Sequence, residues 1–253
     1  MGFIPSKENV LTYWRIIQEA SPKSEIFKYI GRRMIGTRKN FDTNVLIKNK
    51  LGVLNCGNLM INCTVACSEF EKELLPLLTN TKVAIDIGAN IGKHTIVMAQ
   101  TGKKVFAVEP DRGSIELLKQ NIKLNNMDNK ITIIPTACGK EKGTATFYRD
   151  PLFPVTNSIT IKKEKRMTEE MVNVDTVDNI CKGEDVDLIK VDVEGGELNV
   201  LKGAKNIVEK CKPRIIFEAW NKEAVNNIMD YLSSFGYTYT QVDEFNYLAE
   251  AKA

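Results

Sequence analysis

Histidine is nearly absent from this sequence, and cysteine occurs without the spacing that metal sites use. The only histidine is His94, and the six cysteines contain no C-x-x-C pair. A structural zinc site takes four cysteine or histidine ligands, commonly in closely spaced pairs, so the sequence does not favour one. We therefore expect reduced, mostly buried thiols, which are typical of a cytoplasmic protein.

Long apolar runs and a strong excess of one charge are also lacking. No apolar stretch reaches the length of a membrane span, and the first residues contain no signal-peptide core. The 35 basic and 32 acidic residues leave a formal charge of only +3, spread along the chain. We therefore expect neither a membrane span nor a nucleic-acid partner.

Two phosphate-binding fingerprints are missing where a nucleotide-type loop is otherwise indicated. The apolar run Val83–Ile87 is typical of a buried parallel strand, and glycines follow it before helical spacing begins. Such a turn lets the backbone approach a ligand at a helix N-terminus. Asn90 and Lys93 stand where G-x-G-x-x-G requires glycine, and the G-x-x-x-x-G-K-[ST] loop is absent. An adenosyl ligand without phosphates, such as S-adenosylmethionine (SAM), fits this loop better than a dinucleotide.

The alternation of strand and helix patterns predicts an α/β fold. From residue 82 onward the patterns follow parallel βα units, and segments 237–242 and 245–250 close the chain as a hairpin. A β insertion is expected at about 143–174. We expect one doubly wound, mostly parallel sheet that ends in an antiparallel hairpin, with ligands at the carboxyl ends of its strands. Other predicted elements of this region are a strand at 157–161 and a helix at 197–209.

The first 80 residues are expected to form an accessory segment of helices and strands. Its predicted elements are helices over 10–20, 25–34 and 69–78 and a β-meander over 44–67. We interpret residues 1–80 as a cap or an oligomer surface and residues 81–253 as the ligand-binding domain.

Glu109 provides a second element of a nucleotide-type site. It ends the strand after the glycine loop, 21 positions past Gly88, where an acidic residue accepts both hydroxyls of a ribose. Asp86 lies inside an apolar strand, where an unpaired carboxylate is costly. We therefore expect Asp86 to have partners among the loop N–H groups or, through water, the ammonium group of the ligand.

Three carboxylates are predicted to converge at neighbouring strand ends. Asp192 and Glu194 follow the fourth core strand two positions apart, and Glu218 ends the fifth. Such groups can take a proton from a hydroxyl, hold a divalent cation or bind substrate. The alternative is that Lys190 and nearby N–H groups simply neutralise them. His94 lies in the first turn after the glycine loop and is a further catalytic candidate. The alternative is that this histidine has only a structural role.

Several short motifs occur in an order that resembles a known family. They are D-I-G-A-N-I-G-K-H-T (86–95), A-V-E-P-D (107–111), A-C-G-x-x-x-G (137–143), V-D-T-V-D (174–178), L-I-K-V-D-V-E-G-G-E (188–197) and I-I-F-E (215–218). The series resembles the FkbM family of SAM-dependent methyltransferases over roughly residues 82–220. The resemblance implies the Rossmann-like class I methyltransferase fold, whose seven-stranded sheet ends in an antiparallel hairpin.

The resemblance also implies where the cofactor binds. SAM would be held by the glycine loop and Glu109, with its adenine near residues 136–139. Together with the reasoning above, the predicted cofactor-binding residues are Asp86, Gly88, Ala89, Asn90, Gly92, His94, Thr95, Glu109, Pro110, Ala137, Cys138 and Asp192. The predicted catalytic residues are Asp192, Glu194, His94 and Glu218.

The resemblance implies O-methylation of a sugar, a glycan or a natural product. A carboxylate base is the favoured helper, and a divalent metal is less favoured because Lys190 is close in sequence. Three alternatives stay open: an amine or protein side chain as acceptor, an adenosyl-binding module without turnover, and an NAD-dependent oxidoreductase. The expected partner is a small molecule or glycan, and homo-oligomer formation also stays open.

Overall fold

The structure is a computed structural model that describes residues 14–34, 41–151, 153–160 and 165–252. Its strands are β1 (Ala20–Ser21), β2 (Leu46–Asn49), β3 (Gly52–Asn55), β4 (Val83–Ile87), β5 (Lys104–Val108), β6 (Ile131–Ile134), β7 (Ala137–Cys138), β8 (Gly143–Arg149), β9 (Thr168–Asp175), β10 (Leu188–Val191), β11 (Arg214–Glu218), β12 (Tyr237–Gln241) and β13 (Asn246–Ala251). Residues 14–19 are helical. The helices that follow are α1 (Lys23–Met34), α2 (Met60–Ala66), α3 (Lys93–Thr101), α4 (Arg112–Leu124), α5 (Val177–Ile180), α6 (Glu197–Lys202), α7 (Lys205–Cys211) and α8 (Lys222–Ser233), with 3₁₀ helices at Leu75–Leu78 and Pro154–Thr156.

A seven-stranded sheet forms the centre of the fold. Its strand order is β12-β13-β11-β10-β4-β5-β6. The strands β11, β10, β4, β5 and β6 are mutually parallel, whereas β13 pairs antiparallel with both β11 and β12. The predicted doubly wound sheet with its antiparallel hairpin is therefore confirmed. Between β4 and β10 the chain order changes direction, and ligands bind at such a switch point in open α/β sheets.

The two faces of the sheet support two hydrophobic clusters. Successive residues of one strand point to opposite faces, so Ala84 belongs to one cluster and Ile85 to the other. The first cluster also contains residues of α3, α4 and the chain before residue 80. The second contains residues of α6, α7 and α8. The sheet is thus covered on both sides, which explains its almost uninterrupted apolar strands.

Segment 41–80 packs on the outer side of α4 through asparagine side chains. Asn125 accepts the backbone N–H of Val53 at 3.0 Å and donates to the carbonyl of the same residue at 2.7 Å. Asn121 bonds in the same way to the backbone of Asn55. A strand edge that would otherwise need water is thereby satisfied by one helix. The division of the chain at residue 81 stays a prediction, but this segment and the sheet share one core.

Strands β7, β8 and β9 form a separate sheet in the order β7-β9-β8. The pair β8–β9 is antiparallel over Gly143–Arg149, and β7 joins β9 in parallel. The predicted strand at 157–161 is reduced to a single bridge between Ser158 and Tyr148, and residue 161 lies outside the described residues. Residues 153–160 instead lie near the carboxyl ends of the strands of the main sheet.

Two predicted helices differ in the structure. The predicted helix over 69–78 consists of turns and a short 3₁₀ helix, because Glu71 adopts a left-handed φ of 47° and Pro76 has no N–H to donate. The predicted helix over 197–209 is divided into α6 and α7. The division falls at Gly203, where any Cβ would overlap the carbonyl oxygen of Gly139.

The predicted meander over 44–67 is only half correct. Its first part is the hairpin β2–β3, but its second part is α2, because Met60, Cys63 and Ala66 are buried at helical spacing. Residues 10–13 of the first predicted helix lie outside the described residues. Among the residues that the structure describes, no helix is both long and apolar enough to cross a membrane.

Candidate active site

A cavity of about 220 Å³ lies at the carboxyl ends of the parallel strands. Gly88 follows β4, Glu109 follows β5, Asp192 follows β10 and Glu218 ends β11, and all four residues line it. The structure brings eleven of the fourteen predicted site residues to its walls: Gly88, Ala89, Asn90, His94, Glu109, Pro110, Ala137, Cys138, Asp192, Glu194 and Glu218. Their roles in binding and catalysis remain predictions.

The turn after β4 depends on a glycine at position 88. Its φ of 84° is a conformation that other residues rarely adopt, and a Cβ would overlap the carbonyl oxygen of Asp192. The N–H groups of Gly88 and Ala89 both donate to the carbonyl of Val108, at 3.0 and 3.1 Å. The turn is therefore fixed between β5 and β10, and it places the loop and Asp192 in the same cavity.

The N-terminus of α3 has no side-chain cap. Gly92 occupies the N-cap position with a φ of 93°, and it has no side chain to accept an N–H group of the first turn. Such N–H groups and the positive end of the helix dipole favour negatively polarised ligand atoms. Lys93 and His94 of this turn line the cavity, so the helix begins at the candidate ligand site.

Three predicted cofactor residues lie behind the cavity. The Thr95 hydroxyl donates to Asp86 Oδ2 at 2.6 Å, and both side chains are buried. The partners of Asp86 are thus Thr95 of α3 and the ammonium group of Lys190, not the expected loop N–H groups. At Gly92 a Cβ would overlap the side chain of Leu118, so this glycine is needed for packing against α4. Asp86, Gly92 and Thr95 support the loop from within, and none of them lines the cavity.

Glu109 is buried and holds the loop by both oxygens. Its Oε2 accepts the backbone N–H of Asn90 at 2.8 Å, and its Oε1 accepts that of Asp111 at 2.8 Å. Burial raises the pKa of Glu109 to about 7, although these two hydrogen bonds oppose the change. The carboxylate faces the cavity with further lone pairs, which suit donors such as ribose hydroxyls.

Lys190 is a buried cation between two carboxylates. Its Nζ lies 3.0 Å from Asp192 Oδ2 and 3.9 Å from Asp86 Oδ1. Burial alone would lower the pKa of Lys190, but Asp192, Asp86 and Glu71 outweigh that effect and raise it. The lysine therefore stays charged and partly neutralises Asp192, as the structural alternative in the sequence predicted.

Asp192, Glu194 and Glu218 form a carboxylate cluster. One oxygen from each lies within 4.8 Å of the others. Burial, followed by the charges of Asp192 and Glu194, raises the pKa of Glu218 to about 9. Glu218 is therefore protonated near neutral pH, and the other two members are the candidates for accepting a proton.

The backbone of Glu194 is fixed by its neighbours. It adopts a left-handed φ of 62°, and Glu197 Oε1 accepts the N–H groups of Val193 and Gly195 at 3.2 and 2.9 Å. The Ser158 hydroxyl donates to the Glu194 carbonyl at 3.0 Å. A left-handed conformation costs energy for a residue with a Cβ and persists where surrounding contacts impose it. The segment between β8 and β9 thus helps to set the position of the cluster.

His94 lies against a residue that the sequence did not reveal. Its Nε2 is 3.4 Å from Glu71 Oε2, and the imidazole is buried. Burial, then the charges of Lys190 and Lys93, lowers the pKa of His94 well below its ordinary value. The imidazole is therefore neutral in this site.

Eleven residues of the cavity that the sequence did not predict come from two stretches of the chain and from Lys93. Four belong to segment 41–80: Ile61, Val65, Phe70 and Glu71. Six belong to the insertion: Phe147, Pro154, Val155, Asn157, Ser158 and Ile159. Lys93 links the first group to α3, because its Nζ donates to the Phe70 carbonyl and lies 5.0 Å from the centre of the Phe70 ring. Neither stretch carries a motif, so no signal in one sequence identifies the ten residues of these two groups. Lys93 lies in the 86–95 motif, but its contact with Phe70 depends on the fold.

Comparison with known proteins assigns the chain to a family. A profile of the methyltransferase FkbM domain matches residues 86–239, which is more than half of the chain. The chain belongs to the FkbM methyltransferase family. The match confirms the resemblance of the motifs and identifies a SAM-dependent methyltransferase, and it gives no support to an oxidoreductase.

Two relatives in the FkbM comparison have named activities. The methyltransferase sdnD of Sordaria araneosa is 24% identical over 181 residues, which cover 58% of this chain and 70% of the relative. The hexuronic acid methyltransferase AglP of Haloferax volcanii is 30% identical over 126 residues, which cover 49% of this chain and 50% of the relative. The chain thus aligns with only half the length of AglP.

A solved structure supports the fold of this FkbM-family chain. The crystal structure of the methyltransferase FkbM from Methylobacillus flagellatus superposes with a TM-score of 0.52 at 17% identity. The superposition covers 96% of this chain and 59% of that protein. The four cavity residues from segment 41–80 lie outside the residues that the family profile matches.

Proposed function

We propose that the protein transfers the methyl group of SAM to a hydroxyl of a sugar, a glycan or a natural product. The observation that carries the proposal is one cavity lined by Gly88, Glu109 and the carboxylate cluster. An adenosyl-binding edge and groups that can accept a proton are the two requirements of this reaction. By its name AglP acts on a hexuronic acid, which supports a sugar-like acceptor.

The residues that line the cavity fit SAM. Glu109 offers a buried carboxylate for the ribose hydroxyls, and the uncapped start of α3 offers N–H groups. Ala137 and Cys138 give a small, buried surface where the adenine is expected. When bound, SAM supplies an electrophilic methyl group, so the protein itself needs no leaving-group acid.

The carboxylate cluster would act on the acceptor. A hydroxyl is a weak nucleophile near pH 7, and a carboxylate that takes its proton raises its reactivity. Asp192 and Glu194 are the candidate bases, because the pKa of Glu218 is raised to about 9 and that carboxyl keeps its own proton. Correct alignment of the hydroxyl would contribute at least as much as the base does.

A two-step experiment tests this proposal. Calorimetric titration with SAM comes first, and we expect binding with one site per chain. A panel of neutral sugars, hexuronic acids, phenols, amines and peptides is then incubated with SAM, and S-adenosylhomocysteine and the mass of each product are measured. Methylation of a hydroxyl compound supports the proposal. Methylation of amines or peptides alone would replace it with N-methyl transfer, and failure to bind SAM would refute the cofactor assignment.

A further inference from the structure

Two walls of the cavity are apolar, in contrast to the carboxyl groups at the strand ends. One wall comes from α2 and the turn that follows it, and the other comes from residues 153–160. Their apolar side chains in the cavity are Ile61, Val65, Phe70, Pro154, Val155 and Ile159. Five of the six are half-buried, and Phe70 is 38% exposed. Apolar surface that remains open on two sides of a cavity favours a ligand that removes it from water.

The helix α2 is anchored by one set of side chains and lines the cavity with another. Met60, Cys63 and Ala66 are buried in the first hydrophobic cluster. Ile61 and Val65 are four residues apart, so they lie on one face of the helix, and both line the cavity. These two side chains are thus available to a ligand while the helix itself is held by the core.

Phe70 is fixed in its position beside the start of α3. Lys93 Nζ donates to the Phe70 carbonyl and lies 5.0 Å from the centre of its ring. Lys93 is itself only 2% exposed, so the cation is held between the helix and this turn. A ring that is already held in place loses little conformational freedom when a ligand packs on it, which favours binding.

The two apolar walls lie on the acceptor side of the cavity. Glu109, the expected partner of the ribose, follows β5, whereas Glu71 accepts the side-chain amide of Asn246 in β13 at 3.4 Å. The strands β5 and β13 lie on opposite sides of β4 and β10 in the sheet. The other wall contacts the end of β10, because the Ser158 hydroxyl donates to the Glu194 carbonyl. Both walls therefore adjoin the carboxylate cluster.

The polar side chains of the second wall use their oxygens within the protein. Asn157 Oδ1 accepts the N–H of Asp150 at 2.6 Å. The Ser158 hydroxyl donates to the Glu194 carbonyl and accepts the N–H of Thr160 at 3.0 Å. A sugar carries hydroxyls around its ring, and each hydroxyl that meets an apolar wall without a partner costs free energy. An acceptor with few polar groups avoids this cost.

We propose that the methyl acceptor is a hydroxyl compound with an apolar ring skeleton. The skeleton lies between α2, Phe70 and residues 153–160, and its hydroxyl points to Asp192 and Glu194. The inference rests on the proposed function and narrows its acceptor. It separates this acceptor from the hexuronic acid for which AglP is named.

Calorimetry with three simple probes tests the inference. Glucose, phenol and 2-naphthol are each titrated into protein saturated with S-adenosylhomocysteine, so that the cofactor side is occupied. We expect the affinity to increase from glucose to phenol to 2-naphthol. The ratio between 2-naphthol and glucose should be about tenfold or more, because the larger ring system removes more apolar surface from water.

Two variants remove the apolar surface in different ways. Phe70→Ala should weaken the binding of 2-naphthol by about tenfold, and Phe70→Leu should weaken it less, because leucine restores part of the surface. Val65→Thr keeps the shape of the side chain but adds a hydroxyl, and it should weaken binding by about fivefold. None of these variants should change the affinity for S-adenosylhomocysteine. The matched control is Phe27→Ala, which removes a 58% exposed phenylalanine of α1 and should have no effect.

Each outcome supports the inference or overturns it. The inference is wrong if glucose binds as tightly as 2-naphthol, if neither compound binds, or if Phe70→Ala and Val65→Thr both bind 2-naphthol like wild type. Circular dichroism checks that each variant is folded, and Val65→Thr decides when Phe70→Ala is not. Protein that binds S-adenosylhomocysteine and glucose but not 2-naphthol refutes this inference alone. Failure to bind S-adenosylhomocysteine refutes the proposed function.

Discussion

The backbone at Gly88 lies directly against the carbonyl oxygen of Asp192, with no room for a side chain between them. This contact joins the turn after β4 to the end of β10, and so joins the expected cofactor loop to the carboxylate cluster. Glycine is therefore required here by the packing of two backbones. The space that a cofactor would need is a second reason for glycine at position 88. A substitution there changes both the packing and this space, so it cannot separate the two reasons.

Replacement of Gly88 by alanine should destabilise the fold. We expect Gly88→Ala to lower the free energy of unfolding by about 3 kcal/mol, because the left-handed φ and the overlap with Asp192 both oppose it. Gly236 has the same φ of 84° but no atom within 4 Å of a Cβ, so Gly236→Ala should cost only about 1 kcal/mol. Urea unfolding measures both. Equal losses in the two variants would show that the contact with Asp192 is not tight.

The sequence predicted the fold and the strand-end residues because each carries a local signal. The apolar run of β4 indicates a doubly covered parallel strand, and the glycines that follow it indicate a turn at a ligand site. Carboxyl ends of parallel strands meet at one edge, so Glu109, Asp192 and Glu218 were predictable as neighbours.

The rest of the site depends on long-range packing. Glu71 belongs to a turn that sequence reasoning took for a helix, and it reaches the cavity only because segment 41–80 packs on the sheet. Ser158 is remote in sequence from Glu194 and meets it through the turn between β8 and β9. Neither residue lies in a motif, and the periodicity of a segment indicates only its local structure, so one sequence contains no information about these contacts.

Glu109→Gln should weaken the binding of SAM. The variant keeps one acceptor for the N–H groups of Asn90 and Asp111 but loses the charge that strengthens hydrogen bonds to a ribose. We expect a loss of about 1–3 kcal/mol in binding free energy, measured by calorimetry. Glutamine is preferable to alanine, which would leave both buried N–H groups unpaired. Unchanged affinity in a folded Glu109→Gln would show that the ribose lies elsewhere, and Glu116→Gln is the control for a charge lost at the surface.

Binding of the nucleoside part should depend on pH through Glu109. Burial raises the pKa of this carboxyl to about 7 in the free site, so the group holds a proton below that pH. Two ribose hydroxyls need the ionised form as acceptor, and binding below pH 7 must first remove the proton. Affinity should therefore rise with pH, by up to about tenfold per unit below pH 7, and level off above it.

A suitable probe for this pH dependence is 5′-methylthioadenosine, which has the ribose and adenine but no amino-acid group. Its affinity is measured by calorimetry from pH 6 to pH 8 for wild type and for Glu109→Gln. The variant should lose the dependence, because glutamine does not titrate. A dependence of equal size in both proteins would assign the titration to another group.

The final prediction distinguishes two roles of the carboxylate cluster, a catalytic base and a site for a metal ion. If Glu194 or Asp192 takes the proton of the acceptor, Glu194→Gln or Asp192→Asn should lower turnover by roughly a hundredfold or more. The affinity for SAM should change little, and EDTA should have no effect. The measurement is the rate of S-adenosylhomocysteine formation with a saturating acceptor.

A metal ion at the cluster predicts a different pattern. Activity should then disappear with EDTA and return with magnesium or manganese, and Glu218→Gln should be as harmful as Glu194→Gln. Full activity in the variants of Asp192 and Glu194, with and without EDTA, would leave the cluster with a structural role, and the base would then be His94 or a group of the substrate.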